Sequence, residues 1–250
     1  MALGKVVLVG AGPGDPELIT LKGLKALASA DVVVYDRLVS PELLAAAKPG
    51  AELIYVGKEP GRAEMPQEKI NELLVSKALE GKLVVRLKGG DPYIFGRGEE
   101  ECAYVISRGV PCEVVPGVPS FVGASVYAGI PLAGRSFSSA FAVVTGRVAE
   151  GGDQRAHVRR VAEISRLVDM LVILMGVREG PEILGEVLRV RGDEPSAVVE
   201  WATTPRQRTV TGTVSSVAEL LASGAVKNPA VIFVGRGVLL RGSLWRADNA

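Results

Sequence analysis

Two glycine-rich runs hold the residue types best suited to chemistry. The first, Gly10-Ala-Gly-Pro-Gly-Asp15, follows directly on an apolar run. Gly10 and Gly12 fit the start of a G-x-G-x-x-G dinucleotide fingerprint, and Asp36 closes the next apolar run, but the third glycine position holds Asp15. A carboxylate there competes with a pyrophosphate for the same main-chain N–H groups and repels it. Pro13 removes a further donor. The loop therefore suits close approach to the main chain better than phosphate capture. A nucleoside sulfonium would not need an anion cradle, and a tight turn without any ligand also satisfies the pattern. The second run is Lys88-Gly-Gly-Asp-Pro-Tyr-Ile-Phe-Gly-Arg97. Gly89 and Gly90 let a flat ligand reach the main chain. Asp91 brings a carboxylate for an ammonium or ribose hydroxyls. Tyr93, Ile94 and Phe95 offer a ligand an apolar surface, or plug the core.

Composition narrows the chemistry. The 250 residues are 48% hydrophobic and 23% charged, enough for a large core in one domain or two. Lys plus Arg is 29 and Asp plus Glu is 28. A chain this close to neutral lacks the basic surface that nucleic-acid binders use to release counterions. Cys102, Cys112 and His157 are the only cysteines and histidine. Three such residues cannot build a Cys/His zinc site, so no metal is expected, and the count argues against a disulfide scaffold. A lone histidine disfavours Ser-His-Asp and Cys-His catalysis, leaving Asp, Glu, Lys or Tyr as acid or base. The first apolar run is too short for a secretory leader. Leu171-Val-Ile-Leu-Met175 has strand length, well below the roughly 18 residues of a membrane span. A soluble, cytoplasmic protein without membrane contact is expected.

The surrounding pattern predicts the elements that position these loops. Apolar runs at 5–9, 32–35, 52–56, 83–87 and 113–115 are continuous rather than alternating, as in parallel strands covered on both faces. Helical patterns lie between them. Leu21, Leu24, Leu27 and Ala28 share one face behind Thr20 as N-cap, and Ile70, Leu73, Leu74 and Leu79 share another behind Pro66. This predicts an open α/β sheet, which binds ligands at the carboxyl ends of its strands. Pro116-Gly-Val-Pro119 interrupts the alternation and marks a boundary between domains at 1–117 and 118–250. In the second half, strands are predicted at 140–145, 171–174, 197–200, 208–213 and 230–234. The threonine-rich stretch 203–213 alternates with polar residues and looks antiparallel, which predicts a mixed sheet. Residues 149–166 read as a solvated connector and helix face.

Several stretches together resemble the S-adenosylmethionine-dependent tetrapyrrole methylase family. They are Val9-Gly-Ala-Gly-Pro-Gly-Asp-Pro16, Val34-Tyr-Asp-Arg-Leu-Val-Ser40, Tyr55-Val-Gly-Lys58, Pro66-Gln-Glu, Val85-Arg-Leu-Lys-Gly-Gly-Asp-Pro-Tyr-Ile-Phe-Gly-Arg-Gly98, Val115-Pro-Gly117, Ala128-Gly-Ile-Pro-Leu132 and Thr204-Pro-Arg-Gln-Arg-Thr-Val-Thr-Gly212. They run in the family's order across nearly the whole chain. The first loop marks the superfamily. The block from Arg86 to Gly98 is more specific and favours the members that methylate uroporphyrinogen III over the later precorrin methylases. No dehydrogenase-ferrochelatase module precedes the matching stretches, so a monofunctional enzyme is expected.

The resemblance implies two α/β domains with a cleft between them, a homodimer, and transfer of methyl groups from two S-adenosylmethionine molecules to C2 and C7 of uroporphyrinogen III. The implied products are precorrin-2 and S-adenosylhomocysteine. A pyrrole carbon is the nucleophile, so the protein needs no Ser or Cys nucleophile. It must align carbon, methyl and sulfur, exclude water, and help a proton leave. By position, the family's cofactor contacts fall on Pro13, Gly89, Gly90, Asp91, Ile94, Pro119, Ser120, Met175 and Ala202. Pro119-Ser120 stands where Thr-Ala is usual, and Ala202 where Gly is usual. Asp36 and Lys58 match the proton acceptor and donor; the alternatives are a structural Asp36–Arg37 pair and a surface lysine. Uroporphyrinogen carries eight carboxylates around an apolar ring, so Arg37, Arg62, Arg86, Arg97 and Arg135, which flank the motifs, are candidate substrate contacts. Arg147 stands where the family often has His. Competing readings are a nicotinamide-dependent oxidoreductase built on Gly10–Gly14 and Asp36, and a non-catalytic nucleotide-binding module.

Overall fold

The structure, a computed structural model, describes residues 3–57, 65–148 and 151–247. They divide into two compact units, residues 1–120 and 121–250. Lys58 and Arg62 lie outside the described residues.

In the first unit, strands β1 (Lys5–Gly10), β2 (Val32–Tyr35), β3 (Glu52–Tyr55), β4 (Leu83–Lys88) and β5 (Cys112–Val115) alternate with helices α1 (Leu21–Ser29), α2 (Pro41–Leu44), α3 (Gln67–Leu79) and α4 (Gly98–Ser107). The strands form one sheet in the order β3-β2-β4-β1-β5, every pairing parallel. Continuous valine and leucine runs are explained by two covered faces. Val6, Leu8, Val32, Val34 and Val84 pack with Ile70, Leu74, Cys102 and Val105 of α3 and α4. Val7, Val9, Val33, Val85 and Leu87 pack on the opposite face with Leu27 and Leu43. Burying such side chains contributes about 1.5–3 kcal/mol each and dominates the sheet's stability.

Local signals set the helix boundaries. Thr20 Oγ1 accepts the Gly23 N–H at 3.0 Å and starts α1. The face predicted for α1 is only partly buried. Leu27 and Gly23 are covered, whereas Leu21, Leu24 and Ala28 are exposed. The reason is the close approach of the helix to β1 at Gly23, where an added Cβ would lie 2.8 Å from Val9 Cγ1. With Gly23 and Leu27, four residues apart, turned to the sheet, Leu21, Leu24 and Ala28 fall on the other side of the helix. Leu79, at the last residue of α3, is likewise exposed, while Ile70 and Leu74 are buried. Cys102 and Cys112 are joined by a disulfide that links α4 to β5, with their Cα atoms 5.8 Å apart. The low cysteine count did not suggest this single cross-link.

In the second unit, α5 (Ser120–Ala128) leads to β6 (Phe141–Thr145), α6 (Gln154–Ser165), β7 (Met170–Leu174), α7 (Gly180–Arg191), β8 (Pro195–Glu200), β9 (Arg208–Thr213), α8 (Val214–Ala222) and β10 (Ala230–Val234). The sheet order is β6-β7-β10-β8-β9. Only β6 and β7 pair in parallel; the pairings of β10 with β7 and β8, and of β8 with β9, are antiparallel. Strands β6, β7 and β8 therefore point the same way, and their carboxyl ends share one edge of the sheet. The mixed sheet and the antiparallel threonine-rich strand match the sequence pattern; its place at the edge is added by the structure.

Candidate functional site

The order of the first sheet puts the ends of β4, β1 and β5 side by side. The turns that follow them are knitted by glycine main chain. Gly12 N–H donates to Gly90 O at 3.2 Å, and Gly90 N–H to Gly12 O at 2.7 Å. A Cβ on Gly10 would stand 2.5 Å from Gly117 N and 2.6 Å from Gly117 Cα. One on Gly117 would collide with Gly90 O. Only residues without side chains allow this approach, and Gly90 also needs its φ of +68°. Pro13 continues from this knot. Pro119 and Ser120 border it: a Cβ on Gly90 would find Ser120 N at 3.5 Å and Pro119 Cα at 3.8 Å. The surface is thus made of backbone, as a flat ligand at the strand tips requires.

Asp91 clamps two of these turns, those after β4 and β5. Its Oδ2 accepts the Gly117 N–H at 3.0 Å and its Oδ1 the Tyr93 N–H at 2.8 Å. Both oxygens are therefore already engaged with the chain, a use the sequence did not indicate. Tyr93, Ile94 and Phe95 are 53%, 41% and 47% exposed, so they do not plug the core. The first loop also departs from a dinucleotide site. Asp15 caps a 3₁₀ turn at Pro16–Leu18 by accepting from Glu17 N at 2.9 Å, and α1 begins only at Leu21. The N-terminus of α1 therefore does not follow directly on this loop, as the dinucleotide fingerprint requires.

Asp36 sits at the end of β2, next to β4. Its partner is Arg86 rather than Arg37: Arg86 Nη2 lies 3.4 Å from Asp36 Oδ2. Asp36 Oδ1 accepts the Leu38 N–H at 3.1 Å, closing a turn. That turn abuts the second glycine run, because a Cβ on Gly89 would lie 2.9 Å from Leu38 Cβ. Asp36 and the glycine turns are thereby neighbours.

The candidate arginines differ. Arg37 and Arg135 are exposed. Arg97 is exposed too, in a left-handed conformation at φ 59°, with its guanidinium on Glu100 at 2.7–3.1 Å. That pairing lowers the Glu100 pKa, through the hydrogen bond first. Arg86 is buried on the α3–α4 side of the sheet, engaged by Asp36, Glu101 and main-chain carbonyls. A contact to substrate carboxylates was expected of it. Its register explains the difference, since residue 86 shares the inward face with Val84. Lys88, next on that face, is buried against Glu101 at 3.0 Å, and its pKa is lowered chiefly by burial. Neither Lys88 nor Glu101 was singled out from sequence.

In the second unit, the residues after β7 and β8 lie at the shared edge. Met175 is 41% exposed with φ 52°, so it is not the core filler that its strand suggests. Ala202 is buried between Trp201 and Thr203, whose φ angles are 47° and 66°. Three non-glycine residues in this region are costly and concentrate where function demands them. After β6, Gly146 packs on Gly176, where a Cβ would meet its Cα at 2.6 Å, and Arg147 is exposed. Among the described residues no cluster of three or more His, Cys, Asp or Glu could hold a metal, and no helix is long and apolar enough to cross a membrane.

Comparison with known proteins agrees with this arrangement. The chain is 45% identical over 238 residues to a uroporphyrinogen-III C-methyltransferase of Priestia megaterium, covering 94% of this chain and 99% of that one. It is 48% identical over 239 residues to one from Methanocaldococcus jannaschii, covering 94% and 97%. A crystal structure of uroporphyrin-III C-methyl transferase from Thermus thermophilus complexed with S-adenosyl homocysteine superposes with a TM-score of 0.78 at 43% identity, covering 95% of this chain and all of that one. The profile of Tetrapyrrole (Corrin/Porphyrin) Methylases matches residues 5–218, and with strand tips built as described above, the chain belongs to that family.

Proposed function

We propose that this chain transfers methyl groups from S-adenosylmethionine to C2 and C7 of uroporphyrinogen III, giving precorrin-2 for sirohaem or cobalamin synthesis. The carrying observation is the backbone surface formed by Gly10, Gly12, Gly90 and Gly117 beside exposed Tyr93, Ile94 and Phe95. It fits a flat nucleoside without gripping a phosphate. The relatives' names and the family match support the substrate class. When bound, the sulfonium supplies an electrophilic methyl group.

The chain's own residues do the rest. Pro13, Gly89, Gly90, Pro119 and Ser120 line the donor through main chain, so the departures at 119 and 120 leave that surface intact. Asp91 keeps the turns in register, and Ile94 supplies apolar cover. In the second unit, Met175 and Ala202 contribute from strand ends held in strained backbone. Asp36, fixed by Arg86, polarises a pyrrole N–H and takes the proton that discharges the methylated cation, whose new quaternary carbon has no hydrogen of its own to lose. Lys58 is its proton-donating counterpart. Arg37, Arg62, Arg97 and Arg135 receive substrate carboxylates; Arg86 acts on Asp36 instead. The working form is a cytoplasmic homodimer that engages neither nucleic acid nor membrane.

The test is incubation with uroporphyrinogen III and isotopically labelled S-adenosylmethionine, followed by mass measurement of the tetrapyrrole. Two labelled methyl groups are expected. Transfer only to a precorrin that is already methylated would replace this reading with that of a later methylase.

A further inference from the structure

On the face of the first sheet covered by α3 and α4, β4 runs Val84, Arg86, Lys88, from apolar to twice cationic. Burying two cations costs several kcal/mol each unless counter-charges and hydrogen bonds compensate. Glu101, in the first turn of α4, provides the compensation. It is fully buried, and its Oε1 accepts from Lys88 Nζ at 3.0 Å, Arg86 Nε at 3.3 Å and Gln67 Nε2 at 3.0 Å. Its Oε2 is buried without a hydrogen-bond partner among the described residues. A carboxylate so placed leaves one oxygen unsatisfied and crowds three donors on the other, a cost that favours a role beyond simple packing.

The geometry supplies that role. Arg86 spans two carboxylates, with Nε toward Glu101 and Nη2 toward Asp36. Its Nη1 donates to Leu87 O at 3.2 Å. The guanidinium is therefore held at Nε by Glu101 and at Nη1 by main chain, Val34 O at 3.5 Å included, and the least buried end of the arrangement is Asp36. We propose that Glu101 is a positioning residue for methyl transfer: it fixes Arg86, and Arg86 fixes the Asp36 carboxylate at the glycine turns. The inference rests on the proposed role of Asp36. Glu101 reaches neither donor nor acceptor, so its effect falls on turnover and not on the donor surface.

A double-mutant cycle on the full chain tests this, using wild type, Glu101→Gln, Asp36→Asn and the double variant. The readouts are kcat for methyl transfer to uroporphyrinogen III and S-adenosylhomocysteine Kd by calorimetry. Each single variant is expected to lower kcat at least about tenfold, with Kd held within about twofold. In the Asp36→Asn background, Glu101→Gln is expected to change kcat by less than about twofold, because its route is already cut. Effects that multiply, a wild-type kcat in Glu101→Gln, or a matching loss of S-adenosylhomocysteine affinity would each overturn the proposal. A wild-type rate in Asp36→Asn alone would remove the reading of Asp36 and this inference with it. A slow Asp36→Asn beside a fast Glu101→Gln would remove only the inference. Should Glu101→Gln fail to fold, the charge-balanced Lys88→Met/Glu101→Gln chain takes its place in the same cycle, with the same outcomes.

Discussion

Asp91 holds the amide of Gly117, 26 residues further along the chain, at 3.0 Å, and so fastens the turn after β4 to the turn after β5. Asp91→Ala frees that amide and the Tyr93 amide together. A hydrogen bond to a charged acceptor contributes about 1.5–3 kcal/mol. We expect S-adenosylhomocysteine to bind about tenfold or more weakly, read by calorimetry. Wild-type affinity would detach Asp91 from donor binding.

Gly10→Ala and Gly117→Ala place a methyl group into main chain at van der Waals-forbidden distance. Because backbone rather than a flexible side chain must give way, each is expected to destabilise by about 1–3 kcal/mol. Thermal melts check this, with Gly185→Ala as the control, since nothing lies within 4 Å of a Cβ there. Equal melting temperatures for all three would contradict the close packing of the turns.

Asp31 gives a pH signature. Its Oδ2 accepts the Leu83 N–H at 2.7 Å, and its Oδ1 pairs with Lys48. These bonds, the Lys48 one first, lower its pKa below the ordinary 3.8. A carboxylate whose pKa is lower folded than unfolded adds stability above the unfolded value, and loses it as pH falls through the folded one. Asp31→Asn should therefore lower stability at neutral pH, and the difference from wild type should shrink as pH falls below the ordinary 3.8. Denaturant titrations at several pH values would show it. A gap that stays constant down to acid pH would rule the ionised form out.

The link between Cys102 and Cys112 closes a short loop between α4 and β5. Reduction is expected to cost about 2–3 kcal/mol and to lower the melting temperature by several degrees. Thiol labelling before and after reductant, alongside melts, measures both. Two labelled thiols without reductant would show the cysteines free.

Much of the scaffold is readable from the chain because strands buried on both faces announce themselves. Val32–Tyr35 and Ala230–Val234 are unbroken apolar runs, and both form strands with the predicted limits. The glycine turns were readable for a related reason: Gly10, Gly90 and Gly117 sit just past such runs. The charged network was not, since Arg86 and Lys88 look like strand-end surface residues and Glu99, Glu100 and Glu101 look like acids favouring a helix N-terminus. The signal that separates them was present. Gly98, Glu101, Cys102 and Val105 fall on one helical face and are the buried residues of α4, so the apolar phase singles out Glu101. The Asp91 clamp depends on how far apart β4 and β5 end, and no local pattern encodes that.

A binding surface assembled from peptide groups has an evolutionary corollary. At Gly10 and Gly117 there is no side chain to trim or lengthen in small steps, and the first added carbon already collides, while Gly90 is held by its φ of +68°. Drift at these positions meets a cliff rather than a slope. Arg37 and Arg135, standing free at the surface, can be exchanged without disturbing a strand. With the roles proposed for these residues, a fold arranged this way keeps one methyl donor while its choice of acceptor remains open to change.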